Sequence, residues 1–261
     1  MLIRISGLLL RSLYLYRRSL TRAMEILFWP VMNLMVWGFL TFYLRGMKLP
    51  VVIDYLLGGM ILWDLLYRSQ QSITLSLTEE FWVKNVMNIF IAPIRTFELV
   101  LAMCLMGFFK AIITMLFVAT LAFVFYSFNI FDMGPVLVPF FGNLILFGWA
   151  MGLFTMSMVL RYGHAAEALI WGIPFLIQPI SAVFYPVSVL PSWLKFIAFM
   201  LPSTHIFEGM RAVLNTGQAD AYRLSMIVFM NILYLVAGGM FFTWTLRLVR
   251  QKGYLSRTHM E

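Results

Sequence analysis

Residues 97–126, FELVLAMCLMGFFKAIITMLFVATLAFVFY, hold two charged side chains, Glu98 and Lys110, in an otherwise apolar run. A helix rises 1.5 Å per residue and needs roughly 20 residues to cross about 30 Å of hydrocarbon, so this stretch is long enough to span a bilayer. The strands of an outer-membrane barrel would instead alternate apolar and polar positions. Working outward, further spans are expected at 24–44, 51–68, 136–160, 166–187 and 224–248. Across the 261 residues, 62% are hydrophobic and 11% charged, against roughly 45–50% and about 25% in soluble domains. The sequence therefore predicts one all-α integral membrane domain over 1–261 with six transmembrane helices, and soluble chemistry supplied by a partner.

A net charge of +8 points to nucleic acid in a soluble protein, but in a membrane protein the position of each cation matters more. Six crossings put both termini on one side. With that side cytoplasmic, Arg4, Arg11, Arg17, Arg18, Arg22, Arg68, Lys84, Arg95, Arg161, Arg247, Arg250, Lys252 and Arg257 lie inside. Arg45, Lys48, Lys195, Arg211 and Arg223 lie outside, and Lys110 falls within a span. This asymmetry obeys the positive-inside rule. No nucleic-acid partner is expected.

Residues 1–23 form an amphipathic segment. Leu2, Ile5, Leu9, Leu13, Tyr16 and Leu20 share one helical face and Arg4, Arg11, Arg18 and Arg22 the other, the pattern of an interfacial helix whose arginines meet lipid headgroups. The first strongly apolar run begins near residue 26 and lacks the cleavage site of a signal peptide, so the segment reads as retained. Cys104, the single cysteine, reads as a small buried hydrophobe.

Two connections are longer than turns. On the cytoplasmic side, 78–96 reads TEEFWVKNVMNIFIAPIRT. Thr78 is placed to cap a short helix over 78–93, with Glu79 and Glu80 at the positive end of its dipole and Pro93 closing it. Phe81, Trp82, Lys84 and Asn85 would lie near its start, either to dock another protein or to anchor at the interface. On the outer side, Pro191 and Pro202 divide 190–215 into two apolar pieces too short to cross the bilayer. They must return to the side they entered from, as a re-entrant hairpin over a central path, with Ser203 or Thr204 capping the second piece.

Asp64 and Lys110 stand at intermediate membrane depth, where charges are costly and face a partner or a water-filled cavity. They read either as a mutual ion pair or as lining of a translocation path. His164 with Glu167, and His205 with Glu208, are spaced i, i+3, but two ligands do not make a metal site, and none is expected. Glu208 with Arg211 reads as an ion pair within the hairpin. No Gly-rich loop ending in Gly-Lys-Ser/Thr occurs, so the chain has no recognisable P-loop for ATP.

Residues 161–211 resemble the C-terminal signature of the ABC-2 permeases. Leu190, Pro191, Trp193 and Leu194 are followed by Leu201, Pro202, Thr204 and His205, then Glu208, Gly209 and Arg211. Residues 85–94, NVMNIFIAPI, resemble that family's coupling region more loosely. The resemblance implies a type V ABC exporter-like permease that is not itself an enzyme. Glu79, Glu80, Phe81, Trp82, Lys84 and Asn85 would couple to an ABC ATPase. Pro191, Trp193, Pro202, His205, Glu208 and Arg211 would form the outer gate. It implies ATP and Mg in the partner subunit, a second permease copy forming a homodimer, lipid contacts, and a bacterial cytoplasmic (inner) membrane location with both termini cytoplasmic. The cargo would be amphiphilic, lipid-linked or polysaccharide-type. A proton-coupled carrier using Asp64 and Lys110, and a polytopic membrane transferase, are the alternatives.

Overall fold

Apolar runs of this length satisfy their backbone groups in lipid only as helices or closed barrels. In the computed structural model every extended element among the described residues, which are 1–18, 20–46, 50–82, 85, 94–218 and 220–252, is helical. The α-helices are α1 (Leu2–Arg18), α2 (Leu20–Gly46), α3 (Pro50–Trp82), α4 (Thr96–Tyr126), α5 (Leu137–Tyr162), α6 (Ala168–Ile180), α7 (Ser192–Phe199), α8 (Pro202–Thr216) and α9 (Ala221–Gln251).

Among the described residues, four stretches are long and apolar enough to cross a membrane: Leu27–Leu44 within α2, Thr96–Tyr126, Ile130–Tyr162 and Ala221–Gln251. They match four of the six expected spans. The other two differ for opposite reasons. Helix α3 has 33 residues but carries Asp54, Asp64, Arg68, Gln70, Gln71, Glu79 and Glu80. Helix α6 is apolar but has 13 residues, about 20 Å of rise.

Helix α5 is the hub, and its most extensive contacts are with α3 and α9. Small residues permit the close approach that replaces a hydrophobic driving force between helices in lipid. A Cβ on Gly148 would lie 2.7 Å from the Leu66 carbonyl oxygen, and one on Gly152 2.9 Å from that of Gln70. On the other side, a Cβ on Gly238 of α9 would meet the Ala150 carbonyl at 2.9 Å. Polar contacts add to the packing. The buried Asn231 donates from Nδ2 to Oδ1 of Asn143 at 2.8 Å, and Gln70 Nε2 lies 3.4 Å from the Thr155 hydroxyl.

Two expected caps are corrected. Thr78 starts no new helix: α3 runs through it to Trp82, and its hydroxyl donates to the Thr74 carbonyl one turn back at 2.8 Å. A mid-helix threonine satisfies itself this way without ending the helix. At α8 the cap position is Leu201 and Pro202 supplies the first turn, where its missing N–H costs nothing. Ser203 instead shares a 2.7 Å hydrogen bond with Ser181.

Helix α1 lies mainly against α4. Its arginines are not all turned outward as expected. Arg4 pairs with Glu98 at 3.3 Å and Arg11 with Glu80 at 2.5 Å. Both carboxylates are buried, and ionised groups so placed require partners. Glu98 also accepts the Arg95 backbone N–H at 2.9 Å, which fixes the start of α4.

Candidate functional site

A cavity of about 660 Å³ opens between α2, α3 and α6. Helix α2 contributes Trp29, Asn33, Val36 and Trp37, and α6 contributes Trp171, Phe175 and Gln178. Between them runs one stripe of α3, Met60, Asp64, Arg68, Gln71 and Leu75, spaced so that successive side chains share a face. Trp63 and Tyr67 flank it. The result is an aromatic chamber with a polar strip along one wall. Trp37 stacks on Phe184 at 3.9 Å between centroids, and Tyr67 lies 6.4 Å from Phe175.

The strip resolves one sequence-based alternative. Asp64 pairs with Arg68, one turn further along the same helix, with Oδ1 3.5 Å from Nε. Lys110 is engaged elsewhere: its Nζ hydrogen-bonds the Tyr16 hydroxyl and lies 4.0 Å from the centre of that ring. The i, i+4 geometry of Asp64 and Arg68 explains the choice. Arg68, read from sequence as the cytoplasmic end of a span, lies within the unbroken α3 and lines the chamber wall. The period-3.6 spacing of Asp64, Arg68 and Gln71 was the available signal.

A narrower groove of about 100 Å³ lies under α1, between α3 and α4. Lys110, Arg11, Glu79 and Glu80 line it, and it shares Arg68, Gln71 and Leu75 with the chamber. Those three residues therefore stand between the two spaces.

Of the predicted coupling residues, Glu79 to Trp82 close α3 and Asn85 follows it. Glu80 accepts from Arg11 and from Asn85 Nδ2 at 2.6 Å. Trp82 is half exposed and donates from Nε1 to Glu167 Oε1 at 2.8 Å, just before α6. This hydrogen bond links α3 to the helix forming the far wall of the chamber, a pairing that spacing along the sequence does not suggest. Gln71 adds a second α3 to α6 link by donating from Nε2 to the Ile170 carbonyl at 2.9 Å. The Phe81 side chain, Lys84, residues 86–93 and the His164 side chain lie outside the described residues.

The predicted gate residues fall around α7 and α8. Pro191 precedes α7, Trp193 is exposed, and Pro202 opens α8. His205 Nε2 lies 2.8 Å from the Phe199 carbonyl. Glu208 and Arg211 form the expected pair at 2.8 Å. Glu208 Oε1 also accepts the Val187 backbone N–H at 2.8 Å, and the buried Arg211 reaches the Val183 carbonyl at 3.3 Å. The pair thus pins 183–187 to α8. Glu208→Ala leaves Val187 N–H and Arg211 short of an acceptor, and is expected to cost about 2 kcal/mol, read as a lowered unfolding midpoint in nanodiscs.

Helices of this length and apolarity around an internal chamber define a multi-pass integral membrane protein. Residues 46–248 match the family described as ABC-2 family transporter protein. The chain belongs to that family, as a transmembrane permease component of an ABC transporter that is not itself catalytic. Permeases of this family normally pair with an ABC ATPase subunit. The curated proteins include no match to this chain.

Proposed function

We propose that the chain is the permease subunit of an ATP-driven exporter, moving an amphiphilic, lipid-linked or polysaccharide-type cargo outward through the chamber between α2, α3 and α6. The observation that carries this reading is the continuity of α3. Its Glu79–Trp82 end is the expected ATPase contact, and its Asp64–Gln71 stripe lines the chamber. Trp82 lies 14 residues beyond Arg68, about 21 Å along one helix axis, so displacement of that end is delivered to the chamber wall. The hydrogen bond from Trp82 to Glu167 carries the same displacement to α6.

In this reading the bilayer is crossed six times. Helix α3 serves as the second crossing, its polar stripe tolerated because it faces a cavity, and α6 with the loop after it serves as the fifth. Helices α7 and α8 form the re-entrant hairpin and close the chamber outward through Pro191, Trp193, Pro202, His205, Glu208 and Arg211. Helix α1 is the interfacial connecting helix, and 78–93 is the coupling region, with Phe81 and Lys84 among its contacts. Both termini are cytoplasmic in a bacterial inner membrane. Two copies form a homodimer around the path, and two ATPase subunits supply ATP and Mg.

The test is reconstitution with the ATPase subunit in proteoliposomes. ATP-dependent movement of a fluorescent amphiphile from the ATPase side is expected, and movement independent of ATP but driven by a proton gradient would replace this reading with a carrier. Trp82→Ala is expected to lower cargo-stimulated ATPase activity several-fold and to reduce co-purification of the ATPase, with the unfolding midpoint unchanged. Full stimulation and retention in that variant would remove the coupling role.

A further inference from the structure

On the side of α5 away from the chamber, α5 and α9 run parallel in a fixed register. Asn143 meets Asn231, Ala150 meets Gly238 and Phe154 meets Phe241, so the same turns of the two helices stay level. A ladder of rings follows this seam. Phe154 stacks on Phe241 with centroids 5.2 Å apart, and Phe241 on Trp244 at 5.9 Å. Arg161, two turns beyond Phe154 on the same face of α5, ends the ladder. Its guanidinium carbon lies 5.7 Å from the centre of the Trp244 ring and 5.2 Å from that of Tyr162. Phe154, Tyr162, Trp244 and Arg247 are exposed, and Arg161 is partly so.

The charges on this seam differ from those elsewhere in the bundle. Arg4, Arg11, Arg68 and Arg211 are each held by a carboxylate. Arg161 and Arg247 have no carboxylate partner among the described residues. Cation–π contact holds the Arg161 guanidinium in place without using its N–H donors, and that planar fork matches a phosphate.

The order of residues along α9 identifies what carries the phosphate. Leu233, Met240, Trp244 and Arg247 stand at i, i+7, i+11 and i+14, on one face, and the first three are exposed. Over about 21 Å of helix this face passes from aliphatic to aromatic to cationic. A phospholipid passes in the same order from acyl tail through its ester region, where interfacial tryptophan sits, to its phosphate. A zwitterionic head would also bring an ammonium beside Arg161 and Arg247, whereas an anionic head is attracted by both.

We propose that the α5–α9 seam is a binding site for an anionic phospholipid, its phosphate on Arg161 with Arg247 beside it and an acyl chain along Phe154, Phe241 and Met240. The lipid is a bound component of the folded protein, not its cargo, and the site stands whether or not the chamber is a transport path.

The test is native mass spectrometry of the full chain, purified in detergent and exposed to equimolar dioleoylphosphatidylglycerol and dioleoylphosphatidylcholine. The first lipid retained is expected to be the phosphatidylglycerol, by at least about tenfold. Arg161→Gln is expected to lower that preference about fivefold or more, since one arginine near anionic lipid contributes about 1 kcal/mol, a factor of about five. Arg247→Gln should lower it less. Arg17→Gln, an exposed arginine of α1, should leave it unchanged, and millimolar inorganic phosphate should not displace the lipid.

Equal retention of the two lipids, or a preference that survives both Arg161→Gln and Arg247→Gln, would overturn the site. An equal loss in Arg17→Gln would reduce it to diffuse surface charge, and displacement by inorganic phosphate would make it a site for a soluble anion. A dimer that retains no lipid and dissociates on Arg161→Gln would make the seam a contact between copies of the chain. Should Arg161→Gln not fold, the wild-type ratio and the exposed Arg247→Gln decide.

Discussion

Gly148→Leu is expected to abolish assembly of the helix bundle, whereas Gly142→Leu, six residues earlier on the same helix, should be tolerated. At Gly148 even the first added carbon would sit 2.7 Å from the Leu66 carbonyl oxygen and 2.7 Å from Ser69 Cβ. The first of these neighbours is backbone, so relief requires α3 and α5 to separate. That contact is among the most extensive between elements, and it also positions the chamber stripe. Overpacking a soluble core costs typically 1–3 kcal/mol. Here three further carbons follow the first, and the expected loss is on the order of 4 kcal/mol or more. A Cβ on Gly142 meets nothing within 4 Å. Detergent-solubilised size-exclusion profiles of fluorescent fusions read the difference directly. A monodisperse Gly148→Leu protein with wild-type thermal stability would mean that α3 and α5 do not meet as described.

The second large effect is expected at Arg68. Arg68→Met leaves Asp64 buried without its partner, and breaking a buried pair from one side costs about 3–5 kcal/mol. Replacing both residues, as Asp64→Leu with Arg68→Met, should recover most of that loss, because an apolar pair no longer has a charge to desolvate. Lys110→Met combined with Asp64→Leu should instead be additive within about 0.5 kcal/mol, as expected for residues that share no partner. Equilibrium unfolding in mixed micelles supplies the coupling energies. A coupling larger for Lys110 than for Arg68 would restore the pair suggested by their similar depth and contradict the 3.5 Å contact on α3.

The two cases show where sequence reasoning stops. Phe97–Tyr126 could be read from its own residues, because a run of that length and apolarity has only one low-energy arrangement in a bilayer. The same holds for Ala221–Gln251, and Glu208 with Arg211 could be paired because i, i+3 spacing on a helix brings side chains together. Asp64 is different: its depth, similar to that of Lys110, leaves a mutual pair and a path lining both open, because depth alone does not say which side chain it meets. Only an α3 that continues to Trp82 places Arg68 inside the chamber. Thr78 misled in the same way, since a threonine followed by two glutamates is a helix-start signal that an unbroken helix satisfies internally instead.

What the sequence determined unaided was the solvent and the class of element: apolar length requires lipid, and lipid requires helices whose backbone bonds close within the segment. The order of helices, the amphipathic start and the absence of a P-loop motif follow from local composition as well. What only the tertiary structure decided was which polar groups meet. The chamber draws on α2, α3 and α6, Trp82 finds Glu167 across 85 positions, and Arg4 finds Glu98 across 94. Such contacts depend on how helices cross, and the crossings are set by small residues such as Gly148, Gly152 and Gly238 acting jointly over the whole bundle. A single segment carries no information about its neighbour's register. The charged and amide groups of α3 therefore became a candidate site only once the helices around them were in place.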